Sequence, residues 1–164
     1  MNLYSKRTNK LSKIQINEIC KLKNSHWKYG LKSQKKFFLK NVGLNDIHNL
    51  VFLKTKIIGY TLLRESKIRF TKSQMRYLHF DTLIVNKKFR GKKISKKLMK
   101  LNNKIIKKKK SFSILLCEKP MIKFYENFNW NKLDKKLIIG KKSKKIYMIY
   151  NRKIKRNFCF IKNS

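Results

Sequence analysis

The N-terminal part of the chain shows apolar residues at helical spacing. Ser12 can cap a helix that runs to about Trp27, because a stripe of apolar residues alternates there with a polar face. A second, shorter helix is predicted over Ser33–Lys40, with Phe37 and Phe38 facing inward. Two helices are therefore expected before the first strands.

Extended segments follow these helices. Asn49–Leu53 and Ile57–Leu63 are rich in β-branched and aromatic residues and flank a tight turn at Lys54–Lys56, a pattern that predicts a hairpin. Tyr77–Val85 is the next predicted strand. Both alternating faces of this segment are largely apolar, as in a central strand that is covered on its two sides.

A basic loop and an amphipathic helix come directly after this strand. The loop is Asn86–Lys93, and it carries five of the chain's basic residues. The following helix has one apolar stripe on a lysine-rich surface, formed by Ile94, Leu98, Leu101 and Ile105. The chain therefore contains a strand–loop–helix unit with a strongly basic loop.

The C-terminal third predicts a strand, a helix and a final strand pair. Phe112–Cys117 is the strand, and Pro120 is placed to open the helix. The helix carries Phe124, Tyr125 and Phe128. The final strands are expected at Leu137–Ile139 and Ile146–Tyr150, around a turn at Gly140.

This order of elements predicts an α/β or α+β fold with a mixed sheet. We see no repeat and no boundary, so one domain is expected over residues 1–164, with a core over about 12–151 and a basic tail over 152–164. A chain of 164 residues with 41% hydrophobic residues can build one ordinary core.

Composition favours a cytoplasmic protein. No secretory signal precedes the first elements, and no segment approaches the run of roughly 20 apolar residues that a membrane span needs. Three widely spaced cysteines, Cys20, Cys117 and Cys159, fit reduced core thiols. Neither a disulfide framework nor a metal site is indicated.

The formal net charge of +38 is the most conspicuous property of the composition. Clustered basic residues favour nucleic acid or anionic membranes, because they release counterions from phosphates. However, 38 of the 45 basic residues are Lys and 7 are Arg, whereas Arg is the better reader of phosphate and base edges. Alanine is absent and Lys, Asn and Ile abound, which is the pattern of A/T-rich codons. Codon bias and a polyanion surface therefore remain two explanations, and non-specific affinity for polyanions follows from either.

The basic loop is the main candidate for a binding site. A helix N-terminus offers unpaired N–H groups and the positive end of a dipole, so Arg90, Gly91, Lys92 and Lys93 could seat a pyrophosphate there. Gly91 allows the backbone to approach closely, and Arg90 can bind two oxygens. The alternative is a plain basic turn in a lysine-rich chain. Neither a P-loop nor a GxGxxG pattern is present.

Two segments resemble the signatures of the GNAT acyltransferase family. Thr82–Met99, TLIVNKKFRGKKISKKLM, is similar to its strand, pyrophosphate loop and helix, and Phe124–Trp130, FYENFNW, is similar to its second signature. Weaker likenesses point to the branch with aminoglycoside N-acetyltransferases and nodulation-type acyltransferases. There are departures: Lys93 stands where the family prefers Gly, Ser95 where it prefers Gly or Ala, and Asn129 where Gly usually precedes the aromatic residue. A Lys backbone at position 93 can still donate its N–H if its φ is negative, and its side chain could contact a phosphate.

The resemblance implies a mostly antiparallel sheet flanked by helices and acyl transfer from acetyl-coenzyme A to an amine. The cofactor would lie on the backbone of Leu83, Ile84 and Val85 and on the loop residues Arg90, Gly91, Lys92, Lys93, Ile94 and Ser95. Asp81, with His79 on the same face, stands where the family often has its general base. Tyr125 matches the tyrosine that protonates the leaving sulfur. From the residues alone, Asp81 could equally be a strand carboxylate paired with a lysine, and Tyr125 a core aromatic residue.

Other functions remain open at this stage. The chain could be a basic RNA- or ribosome-associated module without catalysis, or a degenerate GNAT domain that binds the cofactor only. Glu118 and Glu126 are interpreted as surface ion partners, and His26 and His48 receive no role. The acceptor amine is not identified, and either a monomer or a homodimer is expected.

Overall fold

The computed structural model describes residues 1–161; Lys162, Asn163 and Ser164, the end of the basic tail, lie outside the described residues. The strands are β1 (Asn2–Arg7), β2 (Ile47–Leu53), β3 (Lys56–Arg69), β4 (Gln74–Val85), β5 (Ser113–Cys117), β6 (Asn131–Lys132), β7 (Ile146–Tyr150) and β8 (Cys159–Ile161). The α-helices are α1 (Lys13–His26), α2 (Leu31–Asn41), α3 (Ile94–Lys108) and α4 (Ile122–Glu126). Across the described part of the chain, no helix has both the length and the apolar character that a bilayer span requires.

The strands form one mixed sheet. Their order is β1-β2-β3-β4-β5-β7-β6, and β8 pairs with β3. Antiparallel pairing joins β1 to β2, β2 to β3, β3 to β8, β5 to β7 and β6 to β7, whereas β4 and β5 run parallel. The predicted fold class, a mixed and mostly antiparallel sheet flanked by helices, is confirmed.

The chain divides into two compact units, each with its own core. The first comprises Met1–Arg64 and Thr82–Asn102; the second comprises Glu65–Asp81 and the chain from Asn103 onward. The first unit buries a cluster that includes Ile19, Cys20, Leu22, Phe38, Leu50, Tyr60, Leu62 and Ile84. The second buries a largely aromatic cluster that includes Phe70, Tyr77, Phe112, Tyr147 and Phe158. A single domain with its core over residues 12–151 stays a prediction.

The strand β1 lies outside the predicted core. Its residues pair with β2 from Asn2 opposite Phe52 to Arg7 opposite Ile47. Five of its six side chains are exposed, so no hydrophobic alternation marks the segment as a strand. Its basic residues fit an edge strand, because charged side chains discourage further strands from pairing there.

The first two helices confirm the predicted positions and correct one side chain. A capping box begins α1: the Ser12 hydroxyl accepts from the Gln15 N–H at 3.2 Å, and the Gln15 side chain accepts from the Ser12 N–H at 3.1 Å. In α2, Phe38 is buried, but Phe37 is 41% exposed, so the expectation that both face inward is wrong for Phe37. Adjacent residues on a helix point about 100° apart, and only one of the two can face the core.

The predicted hairpin is present as β2 and β3. Its turn includes Lys54 at a φ of 53°, and β3 continues to Arg69, well past the predicted end at Leu63. In the C-terminal half of the next strand, β4, Phe80, Thr82 and Ile84 are buried, whereas the residues between them are half-buried, so the two faces are covered unequally.

The buried face of α3 differs from the predicted stripe. Ile94 and Leu98 are buried as expected, but Leu101 and Ile105 are half-buried. The fully buried positions that follow Leu98 are Met99, Asn102 and Ile106. The buried row Ile94, Leu98, Asn102 and Ile106 steps by four residues each time, so the contact follows a ridge of the helix surface that is displaced to one side of the predicted stripe.

The C-terminal region contains one correction to a strand. Leu137–Ile139 is not a strand: Lys135–Leu137 forms a 3-10 turn, and Ile138 makes an isolated bridge to Phe158. The partner of β7 in this region is instead β6. Three consecutive apolar residues predict extended backbone, but they do not specify whether a neighbouring strand is available.

Candidate active site

The loop between β4 and α3 is built from short local hydrogen bonds. The Asn86 N–H donates to the Ile58 carbonyl oxygen at 2.9 Å, which ties the start of the loop to β3. The Asn86 side chain then accepts from the Lys88 N–H at 3.1 Å and caps the 3-10 turn Lys87–Phe89. Gly91 follows with a φ of 81°. The loop therefore reverses direction through a glycine in the left-handed region before α3 begins.

The N-terminus of α3 presents backbone donors to this loop. The Lys97 N–H donates to the Lys93 carbonyl oxygen at 3.2 Å, so the N–H groups of Ile94, Ser95 and Lys96 precede the first intrahelical bond. No atom lies within 4 Å of a Cβ placed on Gly91, so the space beside the glycine is open. N–H groups that precede the first intrahelical bond, a dipole end and exposed basic side chains can bind an anionic group.

Lys93 adopts a backbone conformation that favours glycine. Its φ is 57°, so the negative φ under which its backbone N–H was expected to serve the loop is not found. The chain keeps the loop in a left-handed shape at the position where the family it resembles prefers Gly. A left-handed conformation costs an L-residue about 1–2 kcal/mol, which the surrounding structure must offset. Asn129, which also stands where Gly is usual, has a positive φ as well, 62°.

Gly59 allows α3 to approach β3 closely. A Cβ on Gly59 would lie 2.8 Å from Cγ2 of Ile94 and 3.2 Å from Cδ1 of Leu98. Both residues belong to a buried cluster with Val51 and Ile58, against which Leu83, Val85 and Phe89 pack. The glycine therefore sets the distance between β3 and the first turn of α3. This distance in turn positions the loop that precedes α3. Sequence reasoning missed this residue, and its only signal was a glycine within a β-rich segment.

The Arg90 side chain is directed towards the C-terminal end of α1. One terminal nitrogen, Nη2, lies 3.3 Å from Nδ1 of His26, and Nε lies 3.4 Å from the carbonyl oxygen of Val85. Arginine has no acceptor, so His26 must be neutral and accept at Nδ1. Burial lowers the pKa of His26, and the positive charges of Arg90 and then Lys87 lower it further. Sequence reasoning gave His26 no role, because 64 residues separate it from Arg90.

Four of the five candidate residues on β4 share one face of the strand, and the fifth, Ile84, is buried on the opposite face. His79, Asp81, Leu83 and Val85 are all half-buried and alternate with buried residues. The parallel ladder to β5 joins Leu78–Phe80 to 113–115. Leu83, Ile84 and Val85 therefore follow the part of β4 that this ladder occupies. His79 and Asp81 belong to the second unit, and the loop residues belong to the first.

Tyr125 lies within an aromatic cluster of the second unit. It is 8% exposed and packs edge-on against Phe80, with ring centroids 6.3 Å apart. Trp130, which is also in this cluster, donates its indole N–H to the Asn103 side chain at 3.1 Å, and Asn103 in turn donates to the Phe128 carbonyl oxygen at 2.8 Å. These two hydrogen bonds connect the segment after α4 to Asn103 of α3.

The Tyr125 hydroxyl is held in its protonated form. Burial raises the pKa of Tyr125, and the neighbouring Cys117 raises it further. Within residues 1–161, the structure gives this hydroxyl no hydrogen-bond partner. The environment is compatible with a proton donor to an incoming group as well as with a core aromatic residue. Glu118, interpreted from the sequence as a surface ion partner, pairs with Lys145 at 3.2 Å.

No protein-family model matches the sequence, and no curated protein matches it either. Solved structures do match. An acyl-CoA N-acyltransferase from Pseudomonas aeruginosa has a TM-score of 0.69 at 12% identity, covering 91% of this chain and 99% of that one.

Two further matches were solved with coenzyme A. An aminoglycoside 6'-N-acetyltransferase has a TM-score of 0.64 at 11% identity, covering 90% of this chain and 96% of that one. The PaiA N-acetyltransferase from Thermoplasma acidophilum has a TM-score of 0.59 at 16% identity, covering 91% of this chain and 98% of that one. These similarities extend over nearly the whole length of both chains. At such low sequence identity they indicate a shared backbone fold and no more.

Proposed function

From the GNAT acyltransferase fold that this chain has, we propose that it transfers an acyl group, in particular acetyl from acetyl-coenzyme A, to a primary amine. The observation that carries the proposal is the loop 90–95 at the N-terminus of α3, where a left-handed glycine and free N–H groups follow the strand β4. That arrangement can hold a pyrophosphate, and two structures of the same fold were solved with coenzyme A.

The residues of the loop fit the cofactor. The N–H groups of Ile94 and Ser95 and the backbone of Gly91, Lys92 and Lys93 would bind the pyrophosphate, with the Arg90 guanidinium beside them. The backbone of Leu83, Ile84 and Val85 would align the pantetheine arm. Bound acetyl-coenzyme A would supply an acetyl group activated as a thioester. These residues would bind and orient it.

The proton transfers fall to residues of the second unit. Asp81 offers a carboxylate that can take the proton of the acceptor's ammonium group, and His79 on the same face can assist. Tyr125 carries its proton throughout the neutral pH range, because its pKa is raised by burial. It can give that proton to the sulfur of the leaving thiol. The free thiols of Cys20 and Cys117, both buried, support a cytoplasmic location.

The test is a thermal shift followed by turnover. Acetyl-coenzyme A at about 100 times its Kd should add about 2.7 kcal/mol to the free energy of unfolding and raise Tm by roughly 5–10 °C. Release of free thiol is then measured with a panel of amines. Binding without thiol release for any amine would leave a cofactor-binding domain that has lost catalysis. Absence of any thermal shift would contradict the proposal itself.

One observation favours a second function, binding to polyanions. The exposed positions of α3 carry lysines, namely Lys96, Lys97, Lys100, Lys104, Lys107 and Lys108. Together with the net charge of +38, they support affinity for RNA or other polyanions. Because lysine binds phosphate as a point charge, this affinity should not depend on sequence and should fall steeply with salt. Tight binding to one RNA that persists at high salt would favour an RNA-associated module over codon bias.

A further inference from the structure

Three polar side chains meet in the interior of the first unit. Asn49 on β2, Thr61 on β3 and Asn102 on α3 are all fully buried. Asn49 and Thr61 lie opposite each other in the register of β2 and β3. The Asn49 side-chain amide donates to the Thr61 hydroxyl at 3.2 Å and to Oδ1 of Asn102, and the Thr61 hydroxyl donates to the same Oδ1 at 3.1 Å. These three residues, the buried triad, therefore join two strands and one helix through a closed set of hydrogen bonds.

The buried triad gives α3 a second point of contact with β3. Gly59 and Thr61 are two residues apart on β3, so they face the same side of the sheet. The first turn of α3 meets Gly59 through Ile94 and Leu98, and the third buried position of the same helix row, Asn102, meets Thr61. Ile94 and Asn102 are eight positions apart, which is about 12 Å along the helix axis. One contact is therefore apolar, and the other is a set of hydrogen bonds.

The buried triad is not an efficient source of stability. Within the described residues 1–161, neither Oδ1 of Asn49 nor Nδ2 of Asn102 has a hydrogen-bond partner. A buried polar group without a partner costs free energy, whereas replacing a whole polar cluster by apolar groups of similar shape can be neutral or stabilising. What the triad supplies is direction, because hydrogen bonds have narrow limits of length and angle that apolar contacts lack.

We propose that the buried triad positions α3, and with it the N–H groups of Ile94, Ser95 and Lys96, for cofactor binding. The contact at Gly59 sets the distance of α3 from the sheet, but non-directional apolar packing tolerates small shifts along the helix axis. The hydrogen bonds of Asn102 oppose such shifts. Because the first N–H groups of a helix point along its axis, an axial shift changes their distance to a bound anion directly. Asn102 is thus a positioning residue, and the inference rests on the proposed function of the loop.

The experiment compares variants by Tm, by the calorimetric affinity for coenzyme A and by the amide NMR signals of α3 in the ligand-free protein. Asn102→Leu leaves the Asn49 amide and the Thr61 hydroxyl without their common acceptor. The triple variant Asn49→Leu/Thr61→Val/Asn102→Leu removes all three hydrogen bonds together with the polar atoms that made them. Ile106→Val is the control, because it removes one methylene from the same buried row of α3 and no hydrogen bond.

Stability and affinity should respond differently to these changes. Asn102→Leu should lower Tm by about 3–10 °C, because two buried donors lose an acceptor, whereas the triple variant should return to within about 3 °C of the wild type or exceed it. Both should bind coenzyme A about five- to tenfold more weakly. In both, the amide signals of Ile94, Ser95 and Lys96 should shift, although these groups lie roughly 9–12 Å from Asn102 along the helix. Ile106→Val should lower Tm by about 1–5 °C and leave the affinity and these signals unchanged.

Two variants of Thr61 separate hydrogen bonding from packing and serve equally if Asn102→Leu fails to fold. Thr61→Val keeps the shape of the side chain and removes the hydroxyl, whereas Thr61→Ser keeps the hydroxyl and removes the methyl group. Thr61→Val should weaken coenzyme A binding about two- to fivefold, and Thr61→Ser should bind like the wild type. The reverse order of the two affinities would overturn the proposal, because it would assign the effect to packing.

The proposal is also overturned if the triple variant has wild-type affinity, or if Ile106→Val loses as much affinity as Asn102→Leu. Either result would show that affinity does not depend on the hydrogen bonds that hold α3. Absence of coenzyme A binding by the wild type would instead contradict the proposed function. The amide signals of the ligand-free variants would then still test the position of α3, and unchanged signals of Ile94, Ser95 and Lys96 would overturn the proposal.

Discussion

A Cβ placed on Gly59 would lie 2.8 Å from Cγ2 of Ile94, so β3 and the first turn of α3 meet at a distance that only glycine permits. Ile94 is 1% exposed, and its Cγ2 belongs to a β-branched side chain with little freedom to move. The position of the first turn of α3, and of the basic loop that leads into it, thus depends on Gly59, which lies 35 positions before Ile94 in the chain.

Gly59→Ala should therefore push α3 away from β3. We expect a loss of about 1–3 kcal/mol in the free energy of unfolding, the usual cost of inserting a methyl group into a packed core. Urea denaturation measures this loss, and the thermal shift by coenzyme A should also shrink. Gly43→Ala is the control, because its Cβ would meet Asp46 at an ordinary 3.7 Å. Equal stabilities of the two variants would refute the close approach.

Lys93→Gly should stabilise the protein by up to about 1 kcal/mol. The φ of 57° strains any side chain there, whereas glycine adopts it freely. The gain is reduced because glycine adds entropy to the unfolded chain. Lys96→Gly, inside α3, is the opposing control and should cost about 1 kcal/mol. Denaturant midpoints decide the question, and a destabilised Lys93→Gly would show that the lysine side chain compensates for its backbone strain.

The stability of the first unit should fall in mild acid because of His48. This ring is fully buried, lies 2.9 Å from the Tyr60 hydroxyl and 2.8 Å from that of Thr8, and burial followed by Lys23 lowers its pKa from 6.5 to about 4. Below pH 6.5 His48 binds a proton in the unfolded chain, whereas in the folded chain it stays neutral until the pH approaches 4. Stability is therefore lost as the pH falls from 6.5 towards 4, by about 3 kcal/mol in all.

Unfolding curves of the wild type and His48→Gln between pH 4 and pH 8 isolate this contribution. The variant should be less stable at pH 8, because its packing between Phe38 and Tyr60 is altered. Its dependence on pH below 6.5 should nevertheless be flatter than that of the wild type. Parallel curves would show that His48 does not resist protonation.

Arg90→Glu should weaken coenzyme A binding more than a charge reversal elsewhere on the surface. Lys104→Glu is the control. Lys109 is unsuitable for this purpose, because it lies 4.0 Å from Glu65 and reversal of its charge would add a local repulsion. Calorimetric affinities at one salt concentration make the comparison. Equal losses for Arg90→Glu and Lys104→Glu would leave only the long-range field of the protein as the cause.

Tyr125→Phe should lower turnover by roughly 10²–10⁴-fold, the usual contribution of a positioned general acid. The ring and its packing against Phe80 and Trp130 remain, so Tm and cofactor affinity should change little. Tyr150→Phe is the matched control, since that ring stacks on Trp130 at 5.4 Å without a proposed proton. Near-wild-type turnover in Tyr125→Phe, or loss of folding, would make Tyr125 a core residue only.

Much of this fold could be predicted from the sequence, because its signals are local. The Ser12 cap, the hairpin around Lys54 and the strand–loop–helix unit all depend on residues within a few positions of each other, where periodicity and turn chemistry act directly. The two segments that resemble GNAT signatures also lie within short stretches. The α/β or α+β class with a mixed sheet followed from the order of these elements, and the mostly antiparallel sheet from the resemblance.

Only the tertiary structure decided the features that join distant segments. β1 pairs with β2 although its own residues show no strand pattern, since pairing supplies the hydrogen bonds that the local sequence does not specify. The contact of His26 with Arg90 and the approach of Ile94 to Gly59 likewise depend on how α1, β3 and α3 pack. The sequence by itself predicted a basic loop at the start of a helix, because the order strand, loop and helix and the basic residues of the loop are local features. The tertiary structure determined the positive φ of Lys93 and the direction of the Arg90 side chain, because backbone strain and long-range contacts are set by packing.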